Sequence, residues 1–277
     1  MPPRKLRLGV LAALAAALGF QAAASAAGTT EESFRDRPIM VYLPATLPAP
    51  GNRALVVVLH GGLGNARRVA EARNESAMNM DAASDRHGFV VAYLSGTPAT
   101  RMFGPDKLGW NAGGGCCGQP AVNGVDDVGY IQAAIGHLQD EYRIDRGRTF
   151  GIGHSNGAMM IQRMACETGV FAAAVAISGP LNLPVAACPA AQGKRILAIH
   201  GADDQNVPPA GGRGTKGISG ATYNSEERTK QVFGASGAAY TLEIVGGADH
   251  QLEHIDAAIR AAQGLSVAEK AVRFFGL

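Results

Sequence analysis

The sequence predicts an α/β fold, one domain built on a mostly parallel central sheet with helices on both faces. Short apolar runs alternate with longer amphipathic ones, the pattern of strands joined by crossover helices. Several of the short runs are apolar on both faces, as strands covered on two sides must be. The 277 residues, 47% hydrophobic and 17% charged, are enough for one large core or two small ones.

In chain order, strands are expected at 38–43, 54–59, 89–94, 149–153, 171–177, 195–200 and 240–245, after a polar start. Helices are expected at 76–86, 128–142, 157–167, 222–234 and 267–275. Asp127 stands just before the second of these as its N-cap, which accounts for the Asp126-Asp127 pair. Residues 96–124 are glycine-rich without a period and read as one long loop; loops of that length inside a compact domain are usually functional. No repeat or linker interrupts the chain, and no appended binding module is expected.

This composition excludes a disordered acidic or basic tail and gives no sign of a nucleic-acid surface. The first 26 residues read as a secretory signal peptide. Arg4, Lys5 and Arg7 precede an apolar run at 8–20, and Ala24-Ser25-Ala26 offers a small-residue cleavage site. The run is too short and Ala-rich for a spanning helix, and Gln21 follows it. The first cysteine, Cys116, is far too late to carry a lipid at the cleavage point. Without those three cations the 25 basic residues become 22 against 23 acidic, a net charge of −1. Such a chain has no long-range pull on polyanions; no nucleic acid, no partner protein and no membrane after cleavage is expected.

The chemistry concentrates at Gly153-His154-Ser155-Asn156-Gly157, a G-x-S-x-G between an expected strand and an expected helix. The turn is so tight that both flanking residues must be very small. It lifts the Ser155 hydroxyl to a helix N-terminus, where the dipole favours developing negative charge. With 37 glycines in the chain the pentapeptide alone is a weak signal. A serine nucleophile also needs an imidazole to take its proton and a carboxylate to orient that imidazole. Asp203-Asp204 follows the expected strand ending at His200, and His250 follows the one ending at Val245, so order and placement both fit. Asp204 is preferred over Asp203 because it lies deeper in the loop, before Val207-Pro208. His250 is preferred over His254, which falls inside an expected helix. His60, His87, His137, His154 and His200 read as strand-end or helix-surface residues. No histidine pair has a metal-ligand spacing, so neither metal nor cofactor is expected. For the oxyanion hole, Asn156 supplies one backbone N–H and Gly62, in His60-Gly61-Gly62-Leu63-Gly64, supplies the other, with Gly61 or Leu63 as alternatives. Trp110, His60 and Gly61 are candidate substrate-binding residues; the alternative for Trp110 is a partly buried loop anchor.

Cys166 ends the helix after Ser155, at the sheet end away from the site, and Cys188 lies where the chain has returned to that end. A Cys166–Cys188 disulfide is therefore expected. Cys116 and Cys117 remain in the active-side loop, as a vicinal disulfide or as free thiols.

Leu59 to Gly62, Gly109-Trp110-Asn111-Ala112-Gly113-Gly114-Gly115-Cys116-Cys117-Gly118, Asp126 to Tyr130, Gly153 to Gly157 and His200-Gly201-Ala202-Asp203-Asp204 together resemble the polyhydroxybutyrate depolymerase and feruloyl esterase family of secreted α/β-hydrolases. The likeness spans nearly all of the chain after 26, and the Trp-Asn-Gly-Cys-Cys loop is its most specific part. It implies the α/β-hydrolase fold, an esterase, and the acid of a His-Gly-x-x-Asp segment at Asp204. The family's histidine follows Gly-Gly and precedes Trp-Pro; here Gly246-Gly247 is kept before His250, and the Trp-Pro is absent. The expected activity is a secreted serine esterase working through an acyl-enzyme on hydroxyalkanoate oligomers or other short polyesters. Feruloyl or acetyl esters of plant polysaccharides are the alternative substrates. A peptidase and a non-catalytic exported binding protein are the alternatives of another class.

Overall fold

The computed structural model describes residues 27–100, 104–217 and 219–277, so the expected signal peptide lies outside the described residues. Eight strands form the main sheet: β1 (Gly28–Phe34), β2 (Arg37–Leu43), β3 (Arg53–Leu59), β4 (Val90–Leu94), β5 (Ile144–His154), β6 (Ala173–Ile177), β7 (Arg195–Gly201) and β8 (Ala239–Val245). Their order is β1-β2-β4-β3-β5-β6-β7-β8. β2 is antiparallel to both its neighbours, and every other adjacent pair is parallel.

The helices are α1 (Ala66–Ala70), α2 (Asp81–His87), α3 (Gly118–Val122), α4 (Asp127–Glu141), α5 (Asn156–Glu167), α6 (Glu226–Ala235), α7 (Leu252–Gln263) and α8 (Val267–Phe275). Side chains alternate across each strand, so β3 sends Leu55, Val57 and Leu59 into one layer and Val56 and Val58 into the other. The first layer is closed by Ile131 and Ile135 of α4, Met159 and Met160 of α5, and Phe233 of α6. The second is closed by Ala66 of α1, Ala83 of α2, Ile255 and Ile259 of α7, and Val272 and Phe275 of α8. Burying each of the Ile, Val, Met and Phe side chains among these stabilises the fold by roughly 1.5–3 kcal/mol. The result is one rigid sheet whose carboxyl edge carries the loops after β3, β5, β7 and β8.

Four differences from the sequence reading have physical causes. β1 carries no apolar signal because most of it faces solvent; its pairing with β2 defines it. The helix expected at 76–86 begins only at Asp81, because Met78 adopts a left-handed φ of 62° that interrupts the helical path. The helix expected at 222–234 begins at Glu226, where Ser225 Oγ accepts from the Arg228 amide at 3.0 Å. Thr222–Tyr223 instead pairs with Gly212–Arg213 as a small ribbon. The cap of α4 is Asp126, which accepts from the Gly129 amide at 2.8 Å. Asp127, expected as the cap, is buried and takes Arg37 Nη1 at 2.5 Å and the Asn111 amide at 2.7 Å, tying the glycine-rich loop to β2.

Candidate active site

The strand-to-helix turn between β5 and α5 is forced by its two glycines. A Cβ on Gly153 would stand 2.5 Å from the Gly157 carbonyl oxygen. One on Gly157 would overlap the Leu59 carbonyl and lie 2.6 Å from that of His60. Ser155 between them holds φ 55° and ψ −122°, a backbone state that costs about 1–3 kcal/mol and is kept because the surroundings over-determine it. Its amide donates to the Ile177 carbonyl at 2.8 Å, locking the turn onto β6.

At the carboxyl edge three distant side chains meet. His250 Nε2 accepts from Ser155 Oγ at 2.9 Å, and His250 Nδ1 donates to Asp204 Oδ2 at 2.7 Å. Asp204 Oδ1 accepts from the amides of Asn206 and Val207 at 2.8 and 2.9 Å. Burial works against its charge, but donors from His200, His250 and the Val207 amide outweigh it and hold the carboxyl well below the usual range. Asp203 is exposed and His254 pairs with Asp249 at 2.8 Å, so neither enters this chain of contacts.

Gly61 and Gly62 bring the loop after β3 against the turn. Their notional Cβ positions lie 3.6 Å from Ser155 Cβ and 3.8 Å from Asn156 Cβ respectively. The Leu63 amide is engaged, donating to the Leu108 carbonyl at 2.7 Å, while Gly61 and Gly62 stand beside Ser155 and Asn156. These residues open onto a pocket of about 650 Å³ whose lining also includes Cys117, His154, Met159, Val207, Tyr223 and Lys216.

Two expected substrate contacts are corrected. Trp110 is fully buried, with its indole N–H donating to the His60 carbonyl at 3.0 Å. His60 is buried behind it: Nδ1 donates to the Gly61 carbonyl at 2.8 Å and Nε2 accepts from the Gly96 amide at 3.1 Å. Burial lowers its pKa to about 4, so the ring is neutral. Both residues brace the loop from behind; of the three candidates only Gly61 lines the pocket.

Three contributors escape a sequence reading. The Asn156 side chain pairs with the backbone of Trp110 in both directions, accepting from its N–H at 2.7 Å and donating to its carbonyl at 3.0 Å. His154 Nε2 donates to the His250 carbonyl at 2.9 Å; burial, then the neighbouring His250, lowers its pKa to about 4. Glu226 reaches the site through His200, 26 residues away in sequence. Asn156 and His154 occupy the variable positions of the pentapeptide, so motif spacing says nothing about their side chains. Disulfides join Cys166 to Cys188 and Cys116 to Cys117.

A sheet of this strand order, with a serine on the turn after β5 and acid and imidazole on the loops after β7 and β8, is the α/β-hydrolase fold. No family model matches the chain. The chain is similar to NocK of Nocardia uniformis subsp. tsuyamanensis, a protein named as an esterase, with 30% identity over 179 residues. That match takes in 63% of this chain and 47% of NocK, so the chain spans about half the length of the curated relative it matches. Among solved structures it is similar to LpqC, a poly(3-hydroxybutyrate) depolymerase from Bordetella parapertussis, with TM-score 0.57 and 16% identity over 90% of this chain and 95% of that one. An acetyl xylan esterase from Aspergillus awamori gives TM-score 0.56 and 16% identity over 90% and 99%.

Proposed function

We propose that the protein is a serine esterase that cleaves carboxylic esters through an acyl-enzyme on Ser155. The observation that carries this is the continuous path from Ser155 Oγ through His250 to Asp204, with contacts of 2.9 and 2.7 Å at the floor of an open pocket. Ser155 Oγ attacks the ester carbonyl and its proton passes to His250 Nε2. The Asn156 and Gly62 amides receive the oxyanion, and His250 returns the proton to the leaving alcohol. Water, activated by the same imidazole, then hydrolyses the acyl-enzyme. Asp204 holds the Nδ1–H tautomer and offsets the imidazolium charge.

For the substrate we favour acid-terminated hydroxyalkanoate oligomers over neutral feruloyl or acetyl esters of polysaccharides. Besides the imidazoles of His154 and His250, the described pocket lining carries one cationic side chain, the exposed Lys216, and no carboxylate. A free carboxylate at an oligomer end suits that rim better than a neutral sugar does. The reading places the protein outside the cytoplasm with residues 1–26 removed and 27–277 as the catalytic domain; the Cys166–Cys188 disulfide suits such a compartment. Among the described residues no helix is long and apolar enough to cross a membrane.

The deciding assay is hydrolysis of p-nitrophenyl butyrate by the protein and by Ser155→Ala. Equal rates would remove the enzymatic reading in favour of a binding protein on this scaffold, and amide substrates separate a peptidase. Between esters, hydroxybutyrate trimer, methyl ferulate and acetylated xylan are compared. The trimer should lead, and Lys216→Met should lower kcat/KM about tenfold for the trimer acid and leave its methyl ester unchanged. Equal loss on both would exclude the carboxylate contact.

A further inference from the structure

Beneath the Ser155 site, Asp204 meets a second imidazole. His200, on β7, is fully buried. Its Nε2 lies 3.0 Å from Asp204 Oδ2 and 2.8 Å from the Val207 carbonyl oxygen, and its Nδ1 lies 2.7 Å from Glu226 Oε1. A neutral imidazole has one N–H and one bare nitrogen, yet both nitrogens here face acceptor oxygens, which calls for a proton on each. Glu226 is suited to be the counter-ion. It is the first residue of α6, at the positive end of the helix dipole, and its Oε2 accepts from Tyr240 Oη at 3.0 Å. Burial disfavours the charged ring, but Asp204 and Glu226 outweigh it and raise its pKa to about 9.

We infer that His200 is a positioning residue for the proposed reaction: clamped between Glu226 and Asp204, it shares Asp204 Oδ2 with His250 and limits how much of the carboxylate's charge reaches His250. The inference rests on the proposed roles of Ser155, His250 and Asp204. A cationic His200 set against Asp204 offsets part of the carboxylate charge that a proton arriving on His250 would meet. The remaining titratable groups facing the cluster are Tyr240 on Glu226, His154 against the His250 ring at 5.0 Å, and Tyr223 and Asp249 near Asp204. His154 is held neutral, both tyrosines are shifted upward and Asp249 downward, so none of them changes charge between about pH 5 and 9.

Two variants move the charge in opposite directions. His200→Gln keeps a neutral donor for Asp204 and removes the cation. His250 then sees a fuller negative charge, and the acid limb of the kcat/KM profile moves up by about one pH unit. Glu226→Gln keeps an acceptor for Nδ1–H and removes an anion, so the same limb moves down. Limbs unmoved in both active variants would mean that His200 only packs, and would overturn the inference. Should neither variant fold, ¹⁵N NMR of histidine-labelled unmodified protein at about pH 7.5 decides. Hydrogens on both His200 ring nitrogens support the assignment, and a bare nitrogen overturns it. Absence of ester hydrolysis in the unmodified protein would count against the proposed function and is read separately from the NMR result.

Discussion

Replacing Gly157 with alanine tests whether the shape of the turn, and not only its serine, sets the chemistry. The new Cβ would overlap the Leu59 carbonyl and sit 2.6 Å from the His60 carbonyl, where carbon and oxygen need roughly 3.5 Å. The end of β3 must therefore retreat by about 1 Å, and overpacking of this kind costs about 1–3 kcal/mol. The displaced segment runs straight into Gly61 and Gly62, so the proposed oxyanion donor moves with it. A 1 Å misplacement can cost about 100-fold in rate. Gly157→Ala should thus lower the urea midpoint without changing the slope, and lower kcat/KM on p-nitrophenyl butyrate about 100-fold at a pH where the variant is folded. The matched control is Gly136→Ala, in the middle of α4, where an added Cβ meets nothing within 4 Å. That change should stabilise by about 0.5–1 kcal/mol and leave the rate alone. A Gly157→Ala protein with unaltered midpoint and rate would refute the reasoning, because the turn would then have room to spare.

Three further outcomes follow from the same contacts. Asp204→Asn should stay folded and lose about 10⁴ in kcat on p-nitrophenyl butyrate, since an amide no longer fixes the His250 tautomer; a loss below tenfold would remove Asp204 as the orienting acid. Urea unfolding across pH should show greatest stability near pH 6.5. The raised pKa of His200 contributes stability that is full below its unfolded value of about 6.5 and is lost, on the order of 3 kcal/mol, as pH rises through about 9. The lowered values of His60 and His154 contribute stability present above about 6.5 and lost as pH falls towards about 4. A curve still rising at pH 9 would contradict the His200 assignment, and one that does not fall between about pH 6.5 and 4 would contradict the other. Replacing Cys166 and Cys188 with serine opens a loop of 22 residues and should cost about 3 kcal/mol in unfolding free energy, with kcat unchanged because that bridge lies away from the pocket; a kcat loss would contradict this placement.

The parts of the fold legible in sequence are those with a local signal. β3, β4, β6 and β7 are buried on both faces and read as apolar runs, while β1 is solvent-facing and is defined only by its partner. Ser155, Asp204 and His250 were legible because a tight turn and two strand ends announce them. Trp110 and His60 were misplaced for a related reason: a glycine-rich loop at a site suggests contact with substrate, but which of its side chains turn inward is decided by Asn156 and by the His60 carbonyl. Asp127 carried its own ambiguity, since one aspartate of a pair caps the helix and only the position of Arg37 shows which. The charge of −1 said nothing about Lys216, because a single cation at a pocket rim disappears into a whole-chain sum.

The two variable positions of the pentapeptide give the site its internal logic. A G-x-S-x-G turn constrains its glycines by sterics and its serine by chemistry, and leaves the residues beside the serine free in principle. Here they are not free. His154 donates to the backbone carbonyl of His250, tying that loop to β5, and Asn156 grips the backbone of Trp110, tying the glycine-rich loop to α5. Each needs a single protonation or amide orientation to do this, and low dielectric enforces it in the case of His154. The turn therefore fixes Ser155 and, through its two neighbours, the loops that carry His250 and one wall of the pocket. Any movement of the turn must reach both loops, which is why a methyl group at Gly157 is expected to act on rate as strongly as on stability.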